Sequence, residues 1–111
     1  MDFRQGDIVI VPFPFTDGQQ SKNRPAVVVS AERVNNTRDV ILAQISSTTR
    51  RDDFSFYISE SMLTVSLRKE SQVRVQKIFV MEQRLVKKKI SQLKEPAKNE
   101  LIKKIKSLFE S

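Results

Sequence analysis

Two stretches hold the side chains best suited to chemistry: KNRPAVVVS at residues 22–30, which sets Arg24 before an apolar run, and SSTTRR at residues 46–51, which ends another. A guanidinium keeps its charge across the neutral range and presents a planar fork of donors, to which a hydroxyl adds a rotatable one. Such groups bind anions and stabilise negative charge as it develops. Other chemistries lack their residues. With no histidine there is no imidazole acid/base pair and no Ser-His-Asp triad, and with no cysteine there is no thiol nucleophile and no usual zinc ligand. Asp2, Asp7, Asp17, Asp39, Asp52 and Asp53 show no ligand-like spacing, and Asp52 with Asp53 reads as a turn. Gly6 and Gly18 are isolated and belong to no phosphate-cradling loop. No metal and no cofactor is implied.

The elements that must position Arg24 and the hydroxyls are short strands. Residues 7–11, DIVIV, are β-branched and continuously apolar, as in a strand buried on both faces, and Pro12 and Pro14 are expected to end it. A polar loop at residues 16–23 leads to a second strand at 25–29, with Pro25 at its first position. Residues 40–45 form a third strand that runs into Ser46, residues 54–58 a fourth and residues 73–80 a fifth. If the second and third are antiparallel neighbours, Arg24 at the start of one lies beside Ser46 at the end of the other. Ala97, Leu101, Ile102, Ile105, Leu108 and Phe109 then recur at helical spacing, with Pro96 in the first turn. Five strands and a closing amphipathic helix in 111 residues predict one small, strongly bent sheet or barrel, a single domain over residues 1–111.

The chain carries a net charge of +7, which points to an anionic partner. Most of it lies in residues 84–111, where nine Lys/Arg face three Glu. As a solvated basic face of the C-terminal region these residues need no ligand. The longest apolar run is too short for a membrane span, the opening MDFRQGD lacks a secretory pattern, and the absence of cysteine suits a reducing, cytoplasmic setting.

The succession GDIVIVPFPFTD, KNRPAVVVS and ILAQISS, followed by a Ser-x-Val-Arg strand and a terminal helix, resembles the MazF/PemK family of toxin endoribonucleases over most of the chain. The resemblance implies a small SH3-like β-barrel of the CcdB/MazF/PemK toxin type, mainly β with flanking helices, that pairs as a homodimer and is neutralised by a cognate antitoxin. It further implies sequence-specific cleavage of single-stranded RNA, independent of metal and ribosome, by attack of the ribose 2′-hydroxyl. The family's catalytic positions match Arg24 and Ser46. Serine stands at position 46 where many relatives have threonine, and Ser47, Thr48 and Thr49 follow at once, so a shift of one residue would pass the role to a neighbour. Substrate contacts are expected from Phe15, Asp17, Lys22, Pro25, Ser47, Thr48, Arg50, Arg74, Gln76 and Lys77. Phe13 and Phe15 can stack on bases or fill the core, whereas Phe54, Phe56, Phe79 and Phe109 suit the core or a dimer interface. The rival reading on the same barrel is a non-enzymatic, CcdB-like gyrase poison, which has no need of Arg24 and Ser46; a degenerate relative that only binds RNA is a third.

Overall fold

The computed structural model describes residues 2–14, 21–47 and 50–111. Six antiparallel strands, β1 (Asp7–Pro14), β2 (Ser21–Val28), β3 (Asp39–Ser46), β4 (Ser55–Ile58), β5 (Ser71–Glu82) and β6 (Lys88–Gln92), form one sheet in the order β4-β5-β3-β2-β1-β6. A one-turn helix, α1 (Glu32–Asn35), separates β2 from β3, and α2 (Glu95–Ser107) follows β6. The sheet curls until its two ends touch. Leu63, beyond β4, bridges Leu93, beyond β6, and the Thr64 N–H donates to the Gln92 carbonyl at 2.9 Å.

Alternation along each strand feeds two apolar clusters, one on each face of the sheet. Ile8, Val27, Ala43, Ile45, Val73 and Val75 pack inward with Ala97, Leu101 and Ile105 of α2. Val9, Val11, Ala26, Val28, Val40 and Leu42 occupy the other face with Phe3 and Val86, and Phe13, Phe79 and Met81 pack against its margin. The continuous apolar reading of residues 7–11 follows from this arrangement, because neighbours in β1 serve opposite faces.

The prolines behave differently from expectation. Pro12 and Pro14 do not end β1, which stays paired with β2 through Pro12↔Asn23 and Pro14↔Ser21. The Ile10 carbonyl turns toward the far edge, where it accepts from the Lys87 N–H at 2.8 Å. Residues 12 and 14 share that orientation, and β6 pairs only with Asp7 to Ile10, so their missing N–H groups face an edge with no ladder to break. Pro25 lies inside β2 rather than at its start. There its missing donor points toward β3, and the β2–β3 ladder stops one residue short of it, at Ala26↔Gln44.

Two further differences concern the far side of the sheet. β6 was not anticipated, because KKISQ offers one large apolar residue among polar ones, too little for a periodic signal. β5 is longer than its apolar stretch and carries a bulge: Ala43 pairs with Ile78 but Gln44 pairs with Arg74, so one step along β3 spans four along β5.

Candidate functional site

β2 and β3 are adjacent and antiparallel, in the register Val28↔Leu42, Val27↔Ala43, Ala26↔Gln44. Carried two residues further, that register sets Arg24 opposite Ser46. Alternation places both on one face, since Arg24 follows the parity of Ala26 and Val28, and Ser46 that of Val40 and Leu42. Each strand is also held from its other side, by Arg24↔Val11 and Ser46↔Gln72. The rigidity matters because ordering a long side chain costs about 1.5–2 kcal/mol of rotamer entropy. Arg24 and Ser46 are partly buried, within reach of a ligand.

On the same face, beside Ser46, lies a buried polar network. Arg74 is only 3% exposed. Its guanidinium clasps Asp52 two-pronged, Nη1 to Oδ1 at 3.1 Å and Nη2 to Oδ2 at 2.9 Å, while Nη1 also donates to Ser55 Oγ and Gln72 Oε1, each at 2.9 Å. Nε is buried without a partner among the described residues. Asp52 closes its own turn by accepting from the Phe54 N–H at 2.9 Å. Its carboxyl is held at about 2, below the ordinary 3.8, chiefly by the hydrogen bond from Arg74, with the Phe54 N–H and the Ser55 hydroxyl acting in the same direction. Partial loss of water opposes the shift without cancelling it.

This network fixes the backbone at Arg50. Gln72 Nε2, Ser55 Oγ and Tyr57 OH converge on the Arg50 carbonyl at 2.8, 3.0 and 2.9 Å. Gln72, paired with Ser46 through the backbone, therefore also holds Arg50 through its side chain. The Arg50 side chain is exposed, and the Arg51 guanidinium sits over the Tyr57 ring, 5.6 Å from its centroid.

A cavity of about 620 Å³ opens at the ends of β2 and β3, with Lys22, Arg24, Pro25, Ile45 and Ser47 along one side. Across it stand Arg68 and Lys69 of the segment before β5, and Lys88 of β6. Arg24 thus lies at a junction, opposite Ser46 in register and on the rim of a cavity that Ser47 lines.

The structure brings together only part of the expected constellation. Lys22, Arg24, Pro25 and Ser47 share the cavity, and Ser46 is not among its lining residues. Gln76 and Lys77 are exposed in the β5 bulge, away from the cavity lining. Arg74 is not presented to a substrate: alternation turns Val73 and Val75 into the core and Arg74 to the other face, where Asp52 meets it instead of solvent. Phe13 packs edge-on against Phe79, with centroids 4.9 Å apart, rather than standing free for stacking. Phe56 is in the core, while Phe54 and Phe109 are 39% and 79% exposed. Phe15, Asp17 and Thr48 lie outside the described residues. Among the described residues no group of three or more Asp or Glu is placed to hold a metal ion. Sequence reasoning missed the partnership of Asp52 with Arg74, and the three cations Arg68, Lys69 and Lys88. Only their charge marked them, and charge alone does not say which surface they share.

Similarity to known proteins agrees with this architecture. No protein of curated function matches the chain in sequence. Among solved structures, a MazE–MazF complex from Deinococcus radiodurans superposes with a TM-score of 0.79 at 18% identity, covering 98% of this chain and 96% of the other. An endoribonuclease in complex with its cognate antitoxin from a mycobacterial species gives 0.77 at 15% identity, with 98% and 97% covered. The Mycobacterium tuberculosis toxin MazF-mt6 gives 0.70 at 18% identity, with 92% and 96% covered. At these identities the likeness is one of fold, and it places the curled sheet and terminal helix in the MazF architecture. The family itself is shown by sequence, because the model of the PemK-like, MazF-like toxins matches residues 4–109. With Arg24 and Ser46 opposed on two central strands of that fold, the chain belongs to the PemK-like, MazF-like toxins of type II toxin–antitoxin systems.

Proposed function

We propose that the protein is an endoribonuclease toxin that cuts single-stranded RNA at a short sequence, without a metal ion and without the ribosome. The observation that carries this reading is the placing of Arg24 opposite Ser46 on two central strands, at the mouth of a basic cavity. In the reaction the ribose 2′ oxygen bonds to the adjacent phosphorus as the bond to the 5′ oxygen breaks. One proton leaves the 2′ oxygen and one joins the 5′ oxygen, giving a 2′,3′-cyclic phosphate and a 5′-hydroxyl. Negative charge gathers on the equatorial oxygens of the intermediate. A strand-held guanidinium offers them a matching donor fork, and the Ser46 hydroxyl adds another donor. A guanidinium is already protonated and has no site to take up the 2′ proton, so Arg24 serves as charge stabiliser and as donor toward the leaving oxygen. The gyrase-poison reading gives this pair no task.

Two partners belong to the same proposal. Phe13, Phe79 and Met81 at the margin of the outer apolar cluster suit a homodimer interface, and the antitoxin complexes among the similar structures support neutralisation by a cognate antitoxin. The chemistry is tested with an oligonucleotide that the protein cuts. A single 2′-deoxy substitution 5′ to the cut should block cleavage, and the unmodified product should carry a cyclic phosphate. Cleavage that survives the substitution would refute attack by the 2′-hydroxyl.

A further inference from the structure

The cavity beside Arg24 has an uneven composition. Among the described residues its charged groups are Lys22 and Arg24 on one side and Arg68, Lys69 and Lys88 on the other, and no carboxylate lines it. Among the described residues four cations elsewhere are matched by a carboxylate, Arg74 by Asp52, Arg84 by Glu82, Lys89 by Asp7 and Lys98 by Glu95. Among the described residues Arg68, Lys69 and Lys88 pair with no carboxylate. Like charges gathered around a concavity repel one another, and their joint field attracts and concentrates a polyanion. Between the cations the lining is mixed, with an apolar part from Pro25, Ile45, Leu67 and Ile90 beside the polar Asn23, Ser47, Ser66 and Ser71. An isolated phosphate has no use for the apolar part. A single strand does, because its bases need apolar contact while its phosphates need cations.

We propose that this groove holds the phosphates of single-stranded RNA flanking the bond cut at Arg24, with Arg68, Lys69 and Lys88 as three sequence-independent phosphate contacts. The inference rests on the nuclease reading for the identity of the strand, but binding in the groove does not require cleavage. All three side chains are exposed, so replacing them leaves both cores intact. The test measures binding of a fluorescent, uncleavable 2′-O-methyl oligonucleotide of mixed sequence by anisotropy across a range of salt concentrations. Each single-strand phosphate contact contributes about 0.7 to the slope of log K against log salt. The variant Arg68→Ser/Lys69→Ser/Lys88→Ser should therefore lower the slope by about 2. A control of equal charge change outside the groove, Lys94→Ser/Lys103→Ser/Lys106→Ser, should stay near wild type. Equal slopes in the two triple variants, or no salt-dependent binding by wild type, would overturn the groove assignment. So would binding of a polyglutamate peptide in place of the oligonucleotide, which would give the groove to an acidic protein segment. Wild type that binds as expected yet cuts no RNA would refute the nuclease reading and leave the groove standing.

Discussion

At the scale of single residues the fold separates hydroxyls that the sequence leaves side by side. Ser46 shares the sheet face of Arg24, whereas Ser47 lines the cavity. Ser46→Ala should therefore reduce cleavage by about 10–100-fold at unchanged RNA affinity, a loss on the scale of one transition-state donor or somewhat less. Ser47→Ala should act mainly on binding. A larger loss of turnover in Ser47→Ala would move the chemistry to the cavity side. Arg24 was legible in the sequence because Arg-Pro before an apolar run is a distinctive pattern, and Ser46 because it ends the neighbouring strand. Arg74 was misread because a single arginine between two valines looks like the solvent side of a strand. Asp52, which covers it, lies 22 residues away, and no local pattern signals a contact at that separation. The pair has a pH signature. Asp52 titrates at about 2 in the fold and near 3.8 when free, so its stabilising effect is complete above about pH 4 and is lost as the pH falls toward 2. Thermal unfolding followed from pH 5 to pH 2 should show that loss in wild type and a shallower one in Asp52→Asn. Parallel curves would mean that the ion pair adds nothing.

At the scale of elements, what the sequence conveyed well was whatever has a strong period or a strong local rule. The apolar spacing of α2 placed Ala97, Leu101 and Ile105 on one buried face, as found. β6 escaped notice because its pairing with β1, rather than its own side chains, makes it a strand. The prolines were misjudged for a related reason: a proline breaks a ladder only when its N–H side faces a partner, and that depends on neighbours distant in sequence. Pro25 does face a partner, and the ladder ends there, beside Arg24. Docking of α2 is the part of this reading most open to a stability measurement. Leu101 is fully buried where the helix meets the sheet, and Leu101→Ala should cost about 2–5 kcal/mol in denaturant unfolding. A cost under about 1 kcal/mol would mean that the helix is only loosely docked.

Across the whole molecule the two faces of the sheet divide the work. The inner face is closed by α2, while the outer face carries an apolar patch whose margin is still partly open, next to the end that holds Arg24 and Ser46. A homodimer built on that patch would bring the two sites near the interface. Sedimentation equilibrium should give twice the chain mass at working concentration, and a monomer there would contradict the dimer. Net charge pointed toward an anionic partner and placed its weight on residues 84–111. In the fold Lys89 and Lys98 are neutralised by Asp7 and Glu95, while Lys88 joins Arg68 and Lys69 from another part of the chain in the groove. Which cations share a surface is decided by the closure of the sheet. The central claim is that Arg24 supplies metal-free RNA cleavage, and its most direct test is digestion of a long, mixed-sequence RNA in excess EDTA by wild type and Arg24→Ala, with fragment ends mapped. The account predicts cuts at a recurring short sequence that fall by about 10²–10³-fold in Arg24→Ala while that variant stays folded. Intact RNA with wild type, or equal cutting by both proteins, would contradict it.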